Sequence, residues 1–195
     1  MKQLILASQS SRRKQLLKAI GVKFTVAQNS FREMARLNGS PQDYAIKNAL
    51  GKARSVGALH KNALIIGADT VVVFKKKILE KPRDLEEAAL FLNMLQGNTH
   101  TVYTGLALID VNKNKTVTDY EKTRVTMRAL SEKEVNSYLK LIKPLDKAGA
   151  YAIQGAGSII IKKIDGCYYN VVGFPIARLE EMMHILGVSL FQFMN

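Results

Sequence analysis

One stretch constrains the fold more than any other: Ala63-Leu64-Ile65-Ile66, then Gly67-Ala68-Asp69-Thr70, then Val71-Val72-Val73-Phe74. Short apolar runs rich in β-branched residues read as buried strands. The pattern predicts strands over 63–68 and 70–80, the second a hairpin turning through Lys75-Lys76-Lys77. Asp69 stands at the mouth of the first strand, where desolvating a carboxylate is costly unless a cation or proton chemistry uses it.

Around this stretch, short apolar runs alternate with helical periodicities, which reads as an α/β chain. Residues 3–7 predict a buried strand. Ser10 or Ser11 caps a helix with Leu16, Leu17 and Ile20 on its apolar stripe and Gly21 as its stop. Residues 22–26 predict a second strand and 27–41 an irregular loop. A helix is expected over 41–56, with Ser40 as cap and Tyr44, Ala45, Ala49 and Ala53 at fitting spacings. Helices over 84–95 and from Ser131-Glu132-Lys133-Glu134, a capping box, to Leu141 follow from periodicity and end signals. Strands are predicted at 99–111, 115–128, 158–164 and 168–171, and Pro175 opens a last helix. Hairpins between βα regions point to a mixed sheet.

The 195 residues can bury a full core, and a single domain or two closely joined lobes is expected. A net charge of +13 favours polyanionic partners. The basic residues are spread along the chain without an arginine-rich tail, so nucleotides fit this field better than nucleic acid. Apolar runs fall far short of the roughly 20 residues of a membrane span. The single cysteine, Cys167, excludes an intramolecular disulfide framework and suits a reducing cytoplasm, and scattered His60, His100 and His184 offer no zinc spacing.

Two places carry candidate chemistry. Ser8-x-Ser10-x-Arg12-Arg13 joins a strand to a helix N-terminus, where backbone N–H groups, hydroxyls and guanidinium forks bind phosphate. The same residues also read as a helix cap with solvated arginines. Asp69 could bind Mg²⁺ or activate a water, or cap a turn. Glu33 is a second carboxylate or a surface glutamate, and Lys52 and Lys81 are phosphate cations or solvated lysines. Tyr151-Ala152-Ile153-Gln154-Gly155 offers an amide able to read a base edge, or a plain glycine turn. No Walker loop, dinucleotide-binding G-x-G-x-x-G or G-x-S-x-G elbow is present.

Taken together, several short motifs in order resemble the Maf family of nucleoside triphosphate pyrophosphatases. They are Leu6-Ala7-Ser8-x-Ser10-x-Arg12-Arg13, Lys52-Ala53, Gly67-Ala68-Asp69-Thr70-Val71-Val72 and Lys81-Pro82-Arg83-Asp84. Leu95-Gln96-Gly97-x-x-His100, Asp146-Lys147-Ala148-Gly149-Ala150-Tyr151 and Asn170-Val171-Val172-Gly173-Phe174-Pro175 complete the set. The resemblance implies one Maf-like domain over 1–195. It also implies a mixed, elongated sheet with flanking helices, like inosine triphosphate pyrophosphatases, in two lobes around a cleft. The implied reaction is cleavage between the α and β phosphates, with Mg²⁺ or Mn²⁺ as cofactor. Asp69 is then the catalytic carboxylate, with Asp69 and Glu33 as metal ligands. Ser8, Arg12, Arg13, Lys52, Thr70, Lys81 and Gln154 bind substrate, and Arg12, Thr70 and Gln154 set a dTTP/UTP preference. A cytoplasmic homodimer is expected. Two other expectations are a nucleotide- or nucleic-acid-binding regulator of septum formation, and the same chemistry on a methylated guanosine or inosine triphosphate.

Overall fold

The computed structural model describes residues 2–34 and 39–194; the part of the expected loop at 35–38 lies outside the described residues. Seven strands form one mixed sheet. They are β1 (Gln3–Leu6), β2 (Thr25–Val26), β3 (Ala63–Phe74), β4 (Lys77–Leu79), β5 (Thr99–Asp110), β6 (Lys115–Met127) and β7 (Ile161–Asp165). Their order is β2-β1-β3-β5-β6-β7, with β4 paired to β3. β1 runs parallel to β2 and β3, whereas β4 on β3 and β7 on β6 are antiparallel. The expected mixed α/β class is therefore what forms.

The chain groups into two compact units. The first comprises the described residues of Met1–Asp69, Thr104–Glu121 and Gly173–Asn195. Its helices are α1 (Ser11–Ala19), α2 (Pro41–Gly57) and, at the end of the chain, α7 (Ile176–Ile185). Strand alternation divides its core in two. Leu4, Leu6, Leu64, Ile66 and Ala68 pack with Leu17, Phe174, Leu179 and Met182. The residues between them (Ile5, Ala7, Ala63 and Ile65) pack with Ala49, Ala53 and Val56 of α2. Both faces are covered, which is why Leu4–Leu6 of β1 and the start of β3 are apolar on both sides.

The second unit, Thr70–Tyr103 with Lys122–Val172, holds α3 (Leu85–Leu95), α4 (Glu132–Leu141), α5 (Gly157–Ile160) and α6 (Tyr168–Val172). Its core gathers Val72, Phe74, Leu79, Leu92, Leu95, Val102, Val125, Val135 and Tyr138. The expected Ser131–Glu134 capping box closes reciprocally, while Asp84, expected as the first helical residue, is instead the N-cap of α3 and accepts from Glu87 N–H.

Of the strand expected over 22–26 only Thr25–Val26 forms as β2, Val22 making an isolated bridge to Met194, and three further elements differ from the expectation. The predicted break between 68 and 70 is absent: β3 is one strand of 12 residues, so Asp69 lies inside it rather than at its mouth. The expected strand at 168–171 is helix α6. There the fully buried Asn170 donates to the Val102 carbonyl and the Thr123 hydroxyl, and such tertiary bonds override local β propensity. The strand expected at 158–164 starts later, because Gly157 packs against Ala152 and opens α5 instead. The lysine turn forms as expected, Lys75 and Lys76 both adopting positive φ between Phe74 and its partner Lys77.

Candidate active site

The site in the first unit follows from how α2 lies on β3. Along a strand every second side chain shares a face, so Ala63, Ile65, Gly67 and Asp69 all point toward α2. A Cβ at Gly67 would lie 2.1 Å from the Ala49 carbonyl oxygen and 2.9 Å from the Ala53 side chain. A Cβ at Gly105 would lie 2.3 Å from the Ala45 backbone. Two glycines against the alanine stripe of α2 therefore let the helix backbone sit directly on the strands. Asn48 and Lys52, one helical turn apart, are carried down to Asp69 by this contact.

Lys52 Nζ donates to Asp69 Oδ1 at 2.6 Å and meets Glu33 Oε1 at 2.7 Å. Asn48 Nδ2 donates to Asp69 Oδ2 at 3.3 Å, while its Oδ1 accepts from Met34 N–H at 3.1 Å. Asp69 is 7% exposed and Asn48 fully buried. Glu33 is half exposed and belongs to a loop without regular structure. That loop is held by the Phe31 ring, which occupies the space a side chain at Gly51 would need, and by Tyr44 Oη donating to the Met34 carbonyl.

Desolvation raises the Asp69 pKa above its ordinary value; Lys52, by charge and hydrogen bond, pulls it back down and Glu33 pushes it further up. A carboxylate held this way is a stronger base than one in water, yet has a cation at hand to keep it ionised.

Ser8, at the end of β1, is buried, and its Oγ accepts from Ser10 N–H and from Arg13 Nη1, both at 3.2 Å. Ser10 occupies the N-cap position of α1 but makes no side-chain cap bond. Arg13 is buried as well, with Nη1 also donating to the Ala68 carbonyl at 3.0 Å and Nε to the Gly173 carbonyl at 2.8 Å. Burial lowers its pKa to about 10, against the opposing pull of Asp69, so the guanidinium remains charged at neutral pH. Arg12, its neighbour on α1, is half-buried.

Ser8, Arg13, Glu33, Lys52 and Asp69 thus share the first unit, together with Arg12. Thr70, Lys81 and Gln154 belong to the second, Thr70 half-buried in β3 and the other two exposed. Asn48 is the site residue the sequence reading missed. The available signal was a polar side chain on the alanine stripe of α2, four residues before Lys52.

Asp69 and Glu33 supply hard carboxylate oxygens that already converge on one positive centre, the Lys52 ammonium. That donor set suits a hard divalent cation, which takes one or two carboxylates and fills its remaining positions from phosphate and water. Among the described residues no group of three or more His, Cys, Asp or Glu side chains is gathered for a metal held by protein alone. Among them, too, no helix is long and apolar enough to cross a membrane.

The pattern of a family described as Maf-like protein matches residues 3–186. A dTTP/UTP pyrophosphatase of Bacillus cytotoxicus is 48% identical over 179 residues, covering 92% of this chain and 93% of the relative. A protein of the same name from Bacillus cereus strain G9842 is 46% identical over 190 residues, 97% of this chain and 98% of its own. Another, from Pelotomaculum thermopropionicum, is 44% identical over 190 residues, 97% of this chain and 100% of its own. Among solved structures, a HAM1 protein from Coxiella burnetii has a TM-score of 0.40 at 15% identity. That likeness covers 65% of this chain and 73% of the other, and is too distant to bear on the site.

Proposed function

The chain belongs to the Maf family, and we propose that it is a divalent-metal-dependent pyrophosphatase hydrolysing dTTP and UTP to the monophosphate and pyrophosphate. The observation that carries this reading is the buried Asp69 carboxylate held between Lys52 and Asn48 with Glu33 on the same lysine. Relatives at 44–48% identity carry the name of that activity.

Asp69 Oδ takes the proton of a water directed at the α phosphorus, its raised pKa making it a better acceptor than a solvated carboxylate. The new P–O bond forms at the α phosphorus, the bond to the α–β bridging oxygen breaks, and pyrophosphate departs with that oxygen. Lys52 offsets charge on the phosphates, and Lys81 and Arg12 add cations. Ser8 already accepts two hydrogen bonds, which leaves its own O–H to donate to a phosphate oxygen. Arg13 enters through its charge and by fixing Ser8, since its Nε and Nη1 donate to protein acceptors. Asp69 and Glu33 would hold Mg²⁺ or Mn²⁺, which when bound screens the phosphate charge and polarises the phosphoryl oxygens. Arg12, Thr70 and Gln154 select the pyrimidine, an amide rejecting the wrong base by leaving its polar groups unpaired. The reading also carries a cytoplasmic location, to which the free thiol of Cys167 is suited, and a homodimer.

The test is pyrophosphate release from a panel of canonical and modified nucleoside triphosphates, with and without Mg²⁺ or Mn²⁺. Metal-dependent release chiefly from dTTP and UTP is expected. Release chiefly from purines would overturn the base assignment, and no release at all would overturn the enzymatic reading.

A further inference from the structure

Gln154, the amide assigned above to base selection, sits on an exposed turn in the second unit with glycine at 155 in positive φ. An exposed amide discriminates bases only if the backbone beneath it is fixed, because a wandering donor–acceptor pair satisfies any edge. Three observations locate what fixes it.

Tyr138, buried on α4, directs its hydroxyl at a single residue, Ala152. The Ala152 N–H donates to Tyr138 Oη at 3.1 Å, and Tyr138 Oη donates to the Ala152 carbonyl at 3.3 Å. One side-chain hydroxyl thereby satisfies both backbone groups, as a neighbouring strand would. On its other side the Ala152 carbonyl oxygen lies where a Cβ on Gly157 would come within 1.8 Å, so only glycine fits there. The turn between closes on itself: Gly157 N–H donates to the Gln154 carbonyl at 3.2 Å, and Ser158 Oγ to the Gly155 carbonyl at 2.9 Å.

The residue before Ala152 is anchored independently. Tyr151 Oη bonds His100 Nε2 at 2.7 Å, the two rings meeting edge to face with centroids 5.2 Å apart. Burial lowers the His100 pKa to about 4, so this contact is neutral at physiological pH and adds no field of its own. Among the described residues His100 Nδ1 has no hydrogen-bond partner, which leaves the tyrosine as the one polar contact holding the ring.

We propose that Tyr138 is a positioning residue for base selection: its hydroxyl clamps both backbone groups of Ala152, with the Tyr151–His100 pair as a second anchor, and so fixes Gln154. This rests on the reading of Gln154 given under Proposed function. A packing role alone would need only the ring, already buried in the core with Val135, Leu92 and Leu95. The hydroxyl is what reaches the recognition turn.

Tyr138→Phe keeps the ring and deletes the clamp. With metal present, KM for dTTP and UTP is expected to rise about tenfold while kcat stays within about twofold, because the chemistry is untouched. Pyrimidine-over-purine selectivity in kcat/KM falls by about tenfold. If Tyr138 acts through the amide, the double variant Tyr138→Phe with Gln154→Ala loses no more selectivity than Gln154→Ala alone. Tyr151→Phe, which removes the second anchor, shifts selectivity in the same direction and stands in should the first variant fold poorly. Unchanged KM and selectivity in the single variants, or additive losses in the double variant, would overturn the proposal. If the unmodified protein releases no pyrophosphate, the reading of the site fails and this inference with it. If it is pyrimidine-selective and the tyrosine variants match it, the inference alone fails.

Discussion

Replacing Lys52 by methionine keeps most of the apolar stem of the side chain but removes the ammonium that touches both Asp69 and Glu33. Asp69 is then a buried carboxylate with the Asn48 amide, at 3.3 Å, as its remaining side-chain donor shown above. Breaking one partner of a buried ion pair costs about 3–5 kcal/mol. Glu33, half exposed, stays hydrated and adds little. For a chain of this size the cost corresponds to a fall in Tm of roughly 6–20 °C.

The loss must also depend on pH, with a sign fixed by the site. Burial already raises the Asp69 pKa, and removing Lys52 removes the main opposing influence, so it climbs further. A native pKa above the unfolded one means that the native state binds more protons. Stability is then full below the unfolded value and falls as pH rises through the native value. The deficit of Lys52→Met relative to the unmodified protein is therefore larger at about pH 7.5 than at about pH 5. Urea unfolding of both proteins at the two pH values measures this directly. An equal deficit at both, or none at either, would refute the assignment of Lys52 as the charge that keeps Asp69 ionised.

Gly67→Ala places a methyl 2.1 Å from the Ala49 carbonyl oxygen, so α2 must move off β3. We expect a loss of about 1–3 kcal/mol in thermal or urea unfolding and, with Lys52 and Asn48 displaced, turnover reduced about 100-fold. Asp69→Asn removes the proton acceptor but also a costly buried charge, so turnover should vanish while Tm is kept or raised, measured on one preparation. In the unmodified protein the acidic limb of kcat/KM should fall above the ordinary aspartate value, since catalysis needs the ionised form and burial raises its pKa.

What the sequence made legible was chiefly what periodicity and end signals encode. The buried strands, the α2 helix with its Ser40 cap, the Ser131 capping box and the lysine turn all carry their cause in adjacent residues. Lys52-Ala53 and Gly67-Ala68-Asp69 marked the site, but not why they meet. That depends on the missing Cβ of Gly67 facing Ala49, a contact between residues far apart in the chain. Asn48 was missed for the same reason, because its two bonds, to Asp69 and to the Met34 backbone, exist only once α2 is seated. Asp69 looked like a strand end because a carboxylate is foreign to a strand interior; Lys52 and Asn48 are what let β3 run through it. Residues 168–171 read as a strand by composition, yet the amide of Asn170 is better satisfied from a helical turn against Val102 and Thr123.

The central claim is that water is directed at the α phosphorus by Asp69. Hydrolysis of dTTP in ¹⁸O-enriched water, with the products resolved by mass spectrometry, tests it most directly. The expected result is one ¹⁸O in the nucleoside monophosphate and none in pyrophosphate, with no label transferred by Asp69→Asn. Label in the pyrophosphate, release of orthophosphate instead, or undiminished labelling by Asp69→Asn would contradict the account.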